Sequence, residues 1–317
     1  MVRSGLPFLL ISVLCSPGLG PSAAVAQAPV VSTPSTTSPN GDNAAAGLGV
    51  LDLIALDKDG RPVTDLKPEE LRLFDGKTEQ KITALSPTAH EPLTIGLFFD
   101  MSGSRHGDLH FQEEVRLASE FLHSIWLEGD TGFVVTFNDE NYALVQPTNK
   151  IGEIILGLSE LPGVPRRGST ALYDALCALK PEKLVAIPGK KIYVAFSDFE
   201  DNASRNSFER VIEVAHEGGV LIFPMILPAE FVTSPKKGEK RGRQRAQKMA
   251  DETGSEVLFL ESPDQLVQIF DRLAADLQSA YRITYDPSPA GSQKKKKRGK
   301  IRLETTREHV TLLYPKS

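Results

Sequence analysis

Residues 93–104 read Leu-Thr-Ile-Gly-Leu-Phe-Phe-Asp-Met-Ser-Gly-Ser. The stretch 93–99 is apolar with no polar alternation. A strand that faces water on one side alternates with a period of two. An unbroken apolar run instead marks a strand buried on both faces, as in a parallel sheet covered by helices. The run stops at Asp100, and Ser102 and Ser104 follow around Gly103. Ligands of a doubly wound sheet bind at the carboxyl ends of its strands. The same twelve residues therefore predict a central strand and the loop that carries chemistry.

Outward from this strand, residues 92–280 keep one pattern. Residues 108–127 place Leu109, Val115, Leu117, Ala118, Phe121, Leu122 and Ile125 largely on one helical face. Residues 132–137 form a second apolar strand, and 143–145 a short one at an edge. Helix is predicted for 171–179, 206–217 and 241–253, the last stopped by Gly254. Strands are predicted for 191–196, 220–226 and 257–259. A final helix spans 263–279, with Ser262 as N-cap and Pro263 in its first turn. This alternation predicts an α/β, doubly wound, mostly parallel sheet of Rossmann-like type.

Both flanks read as β. Residues 47–90 carry an apolar run that ends at Asp57-Lys58-Asp59-Gly60, a proline-led turn at 68–71, and a hairpin turn at Asp75-Gly76-Lys77. Residues 281–285 and 300–304 alternate, and 310–314 complete the chain's β tail. The two flanks are too small to stand alone and are expected to pair with each other beside the α/β unit.

The first 26 residues resemble a signal peptide. Arg3 is followed by an apolar stretch over 6–15, then Pro17-Gly18, then Ala24-Val25-Ala26 as a cleavage site. Residues 27–46, rich in Ala, Pro, Ser, Thr and Asn, read as a disordered linker. Export to the periplasm or beyond the cell is the expectation, with no transmembrane segment after cleavage. A lipid anchor on Cys15 is disfavoured by Leu14. Cys177 then has no disulfide partner and reads as a buried, inert thiol. The net charge of -5 argues against a nucleic-acid partner. Oligomeric state is not legible.

Asp100, Ser102 and Ser104 offer three oxygens from one loop. Thr170, in Arg167-Gly168-Ser169-Thr170, precedes a helix. Asp198 follows the strand 191–196. Hard cations such as Mg2+ take oxygen ligands in octahedral geometry.

These three segments, in this order, resemble the metal-ion-dependent adhesion site of von Willebrand factor type A domains. Gly168-Ser169-Thr170-Ala171 is similar to the family's Gly-Gly-Thr segment, and Ser197-Asp198-Phe199-Glu200-Asp201-Asn202 to its Thr-Asp-Gly-x-Asp-Asn loop. The flanking segments 59–66 and 74–77, with the Tyr-x-Ile-x-Tyr strand, look like those of exported type A-related proteins abundant in acidobacteria. The resemblance implies that Asp100, Ser102, Ser104 and Thr170 ligate Mg2+ (or Mn2+ or Ca2+), with Asp198 acting through water. It also implies a non-enzymatic adhesion or scaffold module whose protein partner presents an acidic residue. A structural role in envelope assembly without functional metal is the alternative. Phe199 departs from the family's small residue and is expected to narrow the site or touch the partner. Glu200 and Asp201 read as solvated loop charges.

Other chemistries lack their residues. No Gly-x-Ser-x-Gly elbow occurs, and no Gly-x-Gly-x-x-Gly follows the first strand. His106 and His110 lack the glutamate of a zinc-protease helix and read as surface residues. The run 294–298 reads as a solvated basic loop. Lys236, Lys237, Lys240, Arg241, Arg243 and Arg245 read as a charged loop entering a surface helix.

Overall fold

The computed structural model describes residues 48–88, 91–103, 108–187, 189–226, 239–259, 266–287 and 301–316. The signal peptide, the linker, Ser104, His106, the Ser262-Pro263 start and the basic run 294–298 lie outside the described residues.

The strand β4 (Leu93–Asp100) is buried at every position, which is why its sequence shows no alternation. It lies between β5 (Thr131–Phe137) and β7 (Lys190–Phe196), parallel to both. With β6 (Asn141–Thr148), β8 (Val220–Ile226) and β9 (Leu258–Phe259), the sheet order is β6-β5-β4-β7-β8-β9. Only the edge strand β6 runs antiparallel among the described residues.

Helices cover both faces. On one, Ile95, Leu97, Phe99, Ile192, Val194 and Phe196 pack with α1 (Asp108–Ile125), α2 (Ile151–Glu160) and α7 (Leu266–Gln278). On the other, Phe98, Tyr193 and Ala195 pack with α3 (Leu172–Leu176), α4 (Pro181–Val185), α5 (Phe208–Gly218) and α6 (Glu239–Thr253). Each fully buried large side chain contributes about 1.5–3 kcal/mol, so this two-sided core dominates stability. Asp130, itself buried, clamps the base of β4: its Oδ1 accepts from Leu93 N and its Oδ2 from Leu127 N, both at 2.8 Å.

The flanks form a second sheet. It contains β1 (Gly49–Leu56), β2 (Leu71–Asp75), β3 (Thr78–Pro87), β10 (Tyr281–Asp286), β11 (Ile301–Thr305) and β12 (Thr311–Leu313), in the order β11-β2-β3-β10-β1-β12. Every pairing is antiparallel. All six strands contribute to one apolar cluster that includes Leu53, Leu73, Ile283 and Leu303. The Tyr314 hydroxyl accepts from Leu303 N at 2.9 Å, which ties the chain after β12 to β11 at the opposite edge.

This sheet joins the α/β unit at its base. The Arg282 guanidinium of β10 holds Asp52 of β1 and Glu91, just before β4. Ile54, Leu56, Ala280 and Leu313 pack together beside it.

Candidate functional site

Asp100 ends β4, and Ser197 follows β7; because Phe99 pairs with Phe196, these two residues emerge side by side. Asp100 is fully buried. A buried carboxylate needs donors aimed at it. Its Oδ1 accepts from Ser102 N at 2.9 Å and its Oδ2 from the Ser197 hydroxyl at 2.7 Å. The same Ser197 Oγ accepts from Phe199 N at 3.0 Å, and Asp198 Oδ1 accepts from Glu200 N at 3.0 Å. Side-chain-to-backbone turns of this kind shape the loop after β7.

A second loop is laced to the first. Gly103 N donates to Gly168 O at 3.0 Å, and Arg167 N to Met101 O at 2.9 Å. Gly168 has φ of +80°, and a Cβ there would overlap the Asp139 carboxylate, so glycine is required. A third set of bonds joins Thr170 to the loop after β7. Thr170 N donates to Asn202 Oδ1 at 2.9 Å, and Asn202 N returns to Thr170 O at 3.0 Å. Ser102 and Thr170 are buried, while Asp198 is half-buried.

Three chain segments predicted to meet therefore do meet, at the carboxyl edge of β4 and β7. Asp100, Ser102, Thr170 and Asp198 all lie on these cross-linked loops; Ser104 lies outside the described residues. Among the described residues, no group of three or more His, Cys, Asp and Glu side chains is placed to hold a metal. The oxygen-bearing side chains of these joined loops are of another kind: one buried carboxylate, the hydroxyl residues Ser102 and Thr170, and the half-buried Asp198. A carboxylate oxygen keeps acceptor capacity beyond one hydrogen bond, so this chemistry fits a hard cation.

Phe199 and Asp201 depart from the expectations for this loop. Phe199 neither narrows the rim nor faces a partner: it is fully buried, within the cluster that contains Phe137 and Leu172. Its φ of +58° lets the chain turn the side chain inward. Asp201 is not a solvated charge. Its Oδ2 accepts from Tyr173 N at 3.0 Å and from the Ser204 hydroxyl at 2.6 Å. Glu200 stands 3.9 Å from Arg245, whose Nη1 also donates to Phe199 O at 3.5 Å.

Sequence reasoning missed Ser197 as the partner of Asp100, and Asn138, whose carbonyl accepts from Ala171 N at 2.6 Å. The available signal was the density of Asp, Asn and Ser, which favour local turns. Cys177 is half-buried rather than buried, and burial pushes its thiol up to about 11, consistent with an inert group.

No family model matches the sequence, and no curated protein does. Among solved structures, the chain is similar to a von Willebrand factor type A protein from Catenulispora acidiphila, at 12% identity and a TM-score of 0.47, over 76% of this chain and 73% of that one. It is also similar to the conserved hypothetical protein BatB from Bacteroides thetaiotaomicron, at 13% identity and 0.44, over 57% and 97%. A third is the PilB minor pilin from Streptococcus sanguinis, at 14% and 0.44, over 62% and 63%. At such identity a likeness concerns fold alone. The strand order, the antiparallel edge strand and the two helix layers give this chain a von Willebrand factor type A-like α/β fold.

Proposed function

We propose that the carboxyl edge binds Mg2+, or Mn2+ or Ca2+ in its place, and uses the ion to bind a protein partner. Asp100, Ser102, Ser104 and Thr170 would hold the cation directly, and Asp198 through water. The ion would supply a Lewis-acidic position for an acidic side chain of the partner. The protein's own residues orient the donors and hold the three loops together. In this reading the chain is an exported, non-enzymatic adhesion or scaffold protein, periplasmic or secreted. Its N-terminal β segment (47–90), type A-like domain (92–280) and C-terminal β segment (281–317) follow a cleaved signal.

The observation that supports the reading is that Asp100, Ser102 and Thr170, all buried, lie on two loops bonded to each other and to the loop after β7. One observation favours the metal-free envelope role instead: both Asp100 oxygens already accept from protein donors.

Calorimetric titration with Mg2+ separates the two. Wild type is expected to bind, and Asp100→Asn, which keeps shape and removes charge, is expected not to. Asp100→Ala is a poorer probe, because it strands two donors at about 1–3 kcal/mol each. Mg2+ at about 100 times its Kd should also stabilise wild type by about 2.7 kcal/mol. Identical thermograms for wild type and Asp100→Asn would leave the structural role standing.

A further inference from the structure

The first two turns of α6 carry Lys240, Arg241, Arg243 and Arg245. Their position is unusual in one respect: this end of the helix lies on the candidate cation rim. Gly242 sits so close to the carbonyl oxygen of Asp198 that a Cβ would overlap it. Arg245 donates to Phe199 O at 3.5 Å, from the same rim loop. The Arg243 guanidinium stands 5.6 Å from the ring centroid of Phe259, at the carboxyl end of β9. Three contacts along one helix start thus seat it on the sheet's carboxyl edge from β7 to β9. From that seat Lys240 and Arg241 are exposed. Beyond Asp100, the exposed Arg167 is fixed through its backbone bond to Met101 O.

Packing accounts for Arg243 and Arg245, but it does not call for positive charge at the exposed Lys240 and Arg241, which follow Glu239 in the first turn. The amino end of a helix carries partial positive charge and disfavours cations. Charge complementarity does account for it, because a cation-dressed rim beside exposed Lys and Arg attracts a run of carboxylates rather than one.

We propose that the α6 edge receives an acidic segment of a protein partner. One carboxylate of that segment completes the cation site, and neighbouring Asp or Glu side chains pair with Lys240 and Arg241. This rests on the cation reading above and names the partner's chemistry.

The test compares two fluorescent octapeptides, one with a single Asp among Gly and Ser, the other with five Glu, in Mg2+. The proteins are the full chain, the double variant Lys240→Ser/Arg241→Ser, and Asp100→Asn. Wild type should bind the Glu-rich peptide roughly three- to tenfold tighter, the sum of two surface ion pairs, and added salt should erase that gain. The double variant should lose only the gain, with its Mg2+ titration and single-Asp affinity unchanged. Equal affinity for the two peptides, or a double variant that matches wild type, overturns the proposal. So does dextran sulfate if it binds as tightly as the Glu-rich peptide and loses as much in the double variant, since the edge then only collects polyanions. If chelation and Asp100→Asn leave Glu-rich binding whole while the double variant loses it, the edge stands and the cation reading fails.

Discussion

Phe199 shows how one residue can satisfy a loop and a core at once. A bulky side chain at φ of +58° carries backbone strain of order 1–3 kcal/mol. Full burial of its ring returns about 1.5–3 kcal/mol, so the strain is offset locally. Asp276 on α7 is compensated only in part, by Arg272 Nε at 4.0 Å. It is 1% exposed, and its Oδ1 has no hydrogen-bond partner among the described residues. Burial, with the nearby Glu256 charge adding to it and Arg272 opposing, pushes its carboxyl up to about 7. The folded state therefore holds a proton that the unfolded chain releases near pH 4. The contribution of Asp276 to stability falls as pH rises from about 4 to about 7, by roughly 4 kcal/mol in total. Asp276→Asn should match wild type near pH 4 and exceed it at pH 8. Urea denaturation at the two pH values checks this; parallel pH profiles for the two proteins would refute it.

At the scale of elements, Gly242 makes a sharp case. Alanine is the better helix former by about 0.8–1.0 kcal/mol. Yet the atom it would strike is the backbone oxygen of Asp198, which has no rotamer to escape into. Gly242→Ala is expected to destabilise by about 1–3 kcal/mol and to weaken Mg2+ binding as the rim loop shifts. Urea midpoints and Mg2+ titration read both effects, and a more stable variant with normal Mg2+ binding would contradict the packing seen here. The same conflict between propensity and packing explains the elements that sequence reading missed. The helix α2 contains Gly152 and Gly157, which weaken its local signal. Gly157 is there because Val145 of β6 packs where its side chain would be. The helix expected over 171–179 closes at Leu176, and the chain restarts at Pro181. A residue before proline avoids the helical region, and Lys180 is accordingly extended at φ of -69° and ψ of 147°. Within α3, Asp174 accepts from the Arg205 and Asn206 amides and so ties the short helix to the loop before α5.

Across the whole molecule, the two sheets meet at Arg282. Its side chain is 13% exposed and engages Asp52 and Glu91. Arg282→Met keeps the stem and removes the guanidinium from two half-buried carboxylates, which keep only the weaker influence of Lys190 and Lys191. A loss of about 1–3 kcal/mol is expected, less than for a fully buried pair. Guanidinium denaturation measures it, and a change within about 0.5 kcal/mol would show that the apolar contacts alone join the sheets. The continuous apolar run of β4, the alternation of β10 and the Asp, Ser and Thr positions at strand ends were all readable locally, because burial on two faces, burial on one face and termination each leave a pattern within a few residues. The α/β class, the pairing of the two flanks and the rim on which Asp100, Ser102, Thr170 and Asp198 lie are therefore legible from local pattern alone. Ser197 as the partner of Asp100, the inward turn of Phe199 and the basic start of α6 along the same edge become visible only once the chain is folded. Those outcomes depend on contacts between segments tens of residues apart, which no local periodicity encodes.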